Sequence, residues 1–121
     1  MITNNKLLFT DKTTFESTQE ITFIAYDDIV YLESFENKTK VHMIRGNSQI
    51  IYESLNEITH KLKAYPLFFK SHQSYIVNLN HLQEFSTKHK NNLTLTGTIN
   101  IPLSKEKFNE FMKVINAIFY T

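Results

Sequence analysis

The sequence predicts a mostly β domain with two helices, and three observations carry that reading. Its apolar residues fall in short runs rich in Ile, Val, Phe and Tyr, bounded by polar stretches. Its two glycines stand where such runs must reverse, in Gly46-Asn47 and at Gly97. The apolar spacing switches to a helical period in two places only, residues 54–62 and 104–119. A chain of 121 residues fits a single domain, 1–121, around one core.

Residues 6–10 read as a first strand and residues 11–20 as a polar, turn-like stretch, so that 1–19 form an N-terminal strand and a linker-like segment. Residues 21–25 and 29–32 read as strands around a turn at Asp27-Asp28. Those two carboxylates are better read as a solvated turn than as a metal or acid–base pair, because no third ligand has suitable spacing. Residues 33–40 read as a polar connection into a strand at 41–45, which Gly46-Asn47 folds back onto 49–52. Ser54 and Glu57 match a capping box, Leu55, Ile58 and Leu62 continue at helical spacing, and the helix must stop before Pro66.

The chain is organised around residues 68–82. There the polar Lys70, Ser71, His72, Gln73 and Ser74 precede the apolar Tyr75, Ile76 and Val77. A strand anchored in the core would hold that polar loop rigidly at the surface, which suits binding better than catalysis. Residues 82–86 and 93–96 read as strands around a basic turn at 87–92, and Gly97 turns the chain into 98–101 before Pro102 ends the sheet. From Ser104 to Phe119 the chain reads as a C-terminal helix, with Phe108, Phe111, Met112, Ile115 and Phe119 on one face.

The chemistry present is narrow. Without cysteine there is no disulfide, thiolate nucleophile or cysteine zinc site. No run is long and apolar enough for a membrane helix, and the start lacks a signal-peptide core, so a cytoplasmic location is expected. His72 and Ser74 would share a strand face, but no nucleophile elbow or glycine-rich oxyanion loop accompanies them, so no enzyme is expected. The five histidines never pair at i+2, i+3 or i+4, and phosphate loops are absent, so no metal or other cofactor is expected.

Charge is distributed unevenly. Residues 1–36 hold seven acids and two bases, and residues 37–121 hold eleven bases and five acids. An anionic partner on one side would explain this, and so would charge balance between neighbouring strands. The bases fall beside neutral hydrogen-bonding groups in the predicted connections: Lys38 and Lys40 with Asn37 and Thr39, Lys70 with Ser71 and Gln73, Lys88 and Lys90 with His89 and Asn91, Lys105 and Lys107 with Ser104. Lysines of this kind neutralise phosphates, while Gln, Asn and Thr can read base edges. The same mixture also makes an ordinary protein surface, and the C-terminal amphipathic helix could instead serve a protein-interaction module.

Four pieces of the sequence tip this balance. They are Tyr26-Asp27-Asp28-Ile29-Val30-Tyr31-Leu32-Glu33-Ser34, Ser54-Leu55-Asn56-Glu57-Ile58, Phe68-Phe69-Lys70-Ser71-His72-Gln73-Ser74-Tyr75-Ile76-Val77-Asn78 and Ile101-Pro102-Leu103-Ser104-Lys105. In that order, over residues 20–107, they resemble the LytTR DNA-binding domain of bacterial response regulators. The resemblance implies an elongated, mainly β arrangement of three small antiparallel sheets with a helix alongside. It implies loops that enter successive major grooves of double-stranded promoter DNA, about 34 Å apart, commonly at paired direct repeats.

By the same resemblance the base-contacting candidates are Thr39 and Lys40, His72 and Gln73, and Ser104 and Lys105. Phosphate contacts are expected from Lys38, Lys70, Lys88, Lys90 and Lys107. Gln73 and Lys105 stand where many members have Arg, so adenine is favoured over guanine at Gln73, and Lys105 lacks a two-pronged donor. Ser104 could alternatively cap the last helix. A receiver domain or a second copy of the chain is the implied protein partner, whether the chain is a stand-alone regulator or an output domain.

Overall fold

A computed structural model describes residues 12–16, 21–88 and 91–120. Ten strands and two α-helices follow one another as β1 (Lys12–Glu16), β2 (Ile21–Ala25), β3 (Ile29–Phe35), β4 (Lys38–Met43), β5 (Ser48–Ile51), α1 (Leu55–Lys61), β6 (Phe68–His72), β7 (Tyr75–Asn78), β8 (Leu82–Phe85), β9 (Asn92–Leu95), β10 (Ile99–Pro102) and α2 (Phe108–Phe119). The strands form three antiparallel sheets: β1-β2, β5-β4-β3-β7-β6 and β10-β9-β8. The expected mainly β architecture of three small sheets, a short helix and a C-terminal helix is therefore present.

The five-stranded sheet has a core on each face, because alternate strand residues point opposite ways. Leu32, Val41, Ile51 and Ile76 face α1, where Leu55, Ile58 and Leu62 complete one cluster. Phe69 and Val77 face the other way, onto Leu93, Leu95, Ile101 and Leu103 of the small sheet and its exit, and onto Phe111 and Ile115 of α2. Two half-sized cores replace the single core expected from length. Burying side chains of this size contributes about 1.5–3 kcal/mol each.

Polar latches close the end of the sheet at which β3 starts and β7 finishes. Asn78, 2% exposed, donates from Nδ2 to the carbonyls of Tyr26 (3.1 Å) and Ile29 (2.9 Å) and accepts the Asn80 amide on Oδ1 (3.0 Å). His81 spans Asp27 O (2.6 Å) and Thr96 Oγ1 (3.1 Å), which ties the large sheet to the small one.

Most boundaries agree with the sequence reading, and the capping box is complete, with Ser54 N–H on Glu57 Oε1 (2.7 Å) and Glu57 N–H on Ser54 Oγ (3.1 Å). Four expectations change. The polar loop expected at 70–74 is strand β6 as far as His72, which leaves Gln73 and Ser74 as the turn. Part of the turn-like stretch at 11–20 is strand: Lys12–Glu16 pairs with β2 in continuous register from Lys12↔Ala25 to Glu16↔Ile21, and its Thr-Thr-Phe core suits a strand. The strand expected at 6–10 lies outside the described residues. The polar connection at 33–40 is mostly strand, since β3 and β4 are joined by Glu36 and Asn37 alone, at φ 49° and 65°. That is the geometry of a primed hairpin turn. The C-terminal helix begins as a 3-10 turn at Lys105–Lys107 and becomes α-helical at Phe108.

Candidate nucleic-acid interface

The antiparallel pairing sends four connections to one end of the molecule. β3 runs out to the Glu36–Asn37 turn, and β6, on the far side of β7, runs the same way to the turn at Gln73–Ser74. Ser34 N–H donates to Ser74 O at 2.9 Å, which holds these two turns together. Ser104 N–H donates to Ser71 O at 2.7 Å, which sets Ser104 and Lys105 against the outer edge strand β6. Leu103 N–H donates to Asn91 O at 2.9 Å, which adds the β8–β9 connection to the row. Three backbone hydrogen bonds thus align four connections side by side.

The two ends differ in charge. The connections and strand ends of this row carry Lys38, Lys88, Lys105 and Lys107 against two acids, Glu36 and Glu106. At the opposite end the β2–β3 turn carries Asp27 and Asp28, and the β4–β5 turn carries Arg45. Such separation creates a field that favours an anion at one end.

Gln73 and Lys105 are exposed at the row. His72 is half-buried, and its Nδ1 accepts the Ser74 amide at 3.0 Å. With Nδ1 accepting, the ring proton sits on Nε2, which leaves a donor on the far side. Ser104 is half-buried and makes no side-chain capping hydrogen bond, so its hydroxyl is not used as a helix cap. Lys40 places Nζ over the ring of Phe35 (5.8 Å to the centroid), and Lys38 places Nζ over Tyr52 (5.1 Å). Both rings are largely exposed, at 41% and 53%, so the face beside the row alternates cations and aromatics. The sequence reading missed these two rings. Their signal was the period of two that sets Phe35, Lys38, Lys40 and Tyr52 on one face.

Thr39 does not belong with the readers. Its side chain is fully buried and its hydroxyl donates to Glu53 O at 2.9 Å. The cause is the short turn: with β4 starting at Lys38, Thr39 shares the inward face with Val41. Glu36 and Asn37 stand at the exposed apex in its place.

Among the phosphate candidates, Lys88 is exposed, and Lys107 pairs with Glu110 at 3.5 Å. Lys70 donates to Asn56 Oδ1 at 3.0 Å, on the α1 side of the sheet. Lys90 lies outside the described residues. Behind the row, His42 Nε2 meets Glu33 Oε1 at 2.9 Å and stacks on Tyr31 at 4.1 Å. Burial first, and the Glu33 carboxylate second, hold the Tyr31 and Tyr75 phenols above their ordinary range. Both are therefore neutral donors. Among the described residues no three His, Asp or Glu cluster as a metal site, and no helix is long and apolar enough to cross a membrane.

The described residues thus form a β scaffold with a row of lysine- and amide-bearing connections at one end. The family model for the LytTr DNA-binding domain matches residues 19–116, and the chain belongs to that family. A LytTr domain is a DNA-binding domain. The structure is similar to the LytTr DNA-binding domain of a methyl-accepting/DNA response regulator from Bacillus cereus. The TM-score is 0.71 at 24% identity, covering 88% of this chain and 98% of that chain. At that identity the likeness bears on the fold. No curated protein matches the chain.

Proposed function

We propose that this domain binds double-stranded promoter DNA sequence-specifically, in the cytoplasm, through its row of connections, and so regulates transcription as a response-regulator output domain or a stand-alone regulator. The observation that carries the reading is the backbone-bonded row linking Asn37, Gln73, Lys105 and the β8–β9 connection. Gln73, His72 Nε2, Lys105 and Ser104 read base edges, and Asn37 joins them. Lys38, Lys40, Lys88 and Lys107 hold the backbone phosphates, and Lys70 follows once released from Asn56.

Loops spread from the large sheet to the small one suit contact with successive major grooves along one side of a duplex, and paired direct repeats would seat two copies. Selection of bound sequences from a random duplex pool tests the reading. The expected result is a recovered half-site repeated at about one helical turn. Retention with no enriched sequence would leave only non-specific binding. In the reserve reading as a protein-interaction module, the exposed Phe119 and Tyr120 at the end of α2 meet another subunit. That reading predicts no salt-sensitive retention of duplex DNA.

A further inference from the structure

We propose that Glu36 is a specificity-determining residue, acting by exclusion: it admits a base that offers an amino group in the major groove and rejects the others. The inference rests on the duplex-reading function proposed above. It begins from a residue that serves the fold badly. Both central positions of a primed turn with two left-handed residues favour Asn, Asp or Gly, because a left-handed backbone penalises longer side chains. Asn37 satisfies that rule at φ 65°, and Glu36 violates it at φ 49°.

Nothing in the fold compensates. Glu36 is exposed, and among the described residues its carboxylate has no hydrogen bond or ion pair. The two nearest cations in the chain are held elsewhere, Lys38 over Tyr52 and Lys40 over Phe35. Of the other carboxylates near this end, Glu53 is paired with Lys61, and Glu106 stands between Lys105 and Lys107. A strained, unpaired carboxylate at the apex of a basic row signals a role outside the fold.

The chemistry of that role follows from the carboxylate itself. It is acceptor-only, and the major-groove donors are the amino groups of cytosine N4 and adenine N6. Opposite guanine O6 or thymine O4 it faces another acceptor, and near the backbone it faces phosphate. Glu36 therefore costs affinity on most sequences and repays it at one base pair, which is specificity by repulsion. Asn37 beside it, with both donor and acceptor, supplies the attractive contact.

The test is selection from a random duplex pool with the whole chain and its Glu36→Gln variant, with urea unfolding of Glu36→Asn alongside. Gln keeps the length and the turn strain but adds a donor. The expected result is relaxed preference at one position, by about ten-fold, with other positions unchanged and random-duplex affinity raised several-fold. Asn, a better turn former, should raise the unfolding midpoint. An identical recovered site for Glu36→Gln overturns the inference while leaving the duplex-reading function intact. A lowered midpoint for Glu36→Asn also overturns it, by showing that Glu36 serves the fold. If the unsubstituted chain enriches no sequence, the function reading falls and takes this inference with it.

Discussion

Ser104 and Ser71 are joined backbone to backbone, the amide of one donating to the carbonyl of the other at 2.7 Å. Ser71 precedes His72 and Gln73 on the edge strand, and Ser104 precedes Lys105. Two connections from distant parts of the chain are therefore fixed against one another. Ser104 has φ −61°, which a proline ring matches. Ser104→Pro should cost about 1 kcal/mol in urea unfolding, the worth of one hydrogen bond. It should weaken binding to the selected duplex more than to a scrambled one. Ser104→Ala keeps the N–H and serves as the control. Equal behaviour of the two variants would show that the backbone bond does not align the loops.

Thr39 offers a separation of fold from recognition. Its buried hydroxyl donates to Glu53 O, and Val has nearly its shape without that donor. Thr39→Val should lower stability by about 1 kcal/mol and leave the selected DNA sequence unchanged. A changed base preference would mean that Thr39 leaves the sheet to meet DNA.

The same residue shows what the sequence could and could not disclose. Strands β3, β5 and β7 to β10, the Gly46 and Gly97 turns and the capping box were legible, because each is set by local period or local turn chemistry, whereas the polar side chains of β6 and of the start of β4 read as loop. The Glu36–Asn37 turn was not, since a glycine-free apex with Glu in the left-handed region gives almost no turn signal. Reading it as a long loop put Thr39 on the surface. With two residues in the turn, alternation drives Thr39 inward and pushes Glu36 out. The alignment of the four connections was equally hidden, because it depends on Ser104 meeting Ser71 across 33 residues. The family resemblance pointed to these connections, and only the register showed which side chains they present.

His72 combines a turn contact with a proposed DNA contact, and one substitution can split them. Its Nδ1 accepts the Ser74 amide and closes the turn, while Nε2 is left to donate. In His72→Asn, Oδ1 can accept the same amide two residues on, but nothing replaces Nε2. Asn should therefore keep the unfolding midpoint near that of the parent and lose affinity for the selected duplex. His72→Ala should lose both, with a stability cost of about 1 kcal/mol. Full DNA affinity in the Asn variant would restrict His72 to the turn.

The capping box makes a prediction about acid. The Ser54 backbone amide, and then the Ser54 hydroxyl, hold the Glu57 carboxyl below its ordinary range, because each favours the ionised form. A carboxyl whose native pKa is lowered stabilises the fold above its unfolded value. That contribution disappears as pH falls through the native value, where both states are protonated. Glu57→Gln cannot titrate. The stability difference between parent and Glu57→Gln should therefore be largest near neutral pH and shrink on acidification through the carboxylate range. Ser54→Ala, which removes the cap itself, should cost about 1 kcal/mol near neutral pH. Urea unfolding at a series of pH values measures both. A parent–Gln difference that stays constant with pH would mean that the Ser54 hydrogen bonds do not favour the ionised carboxylate.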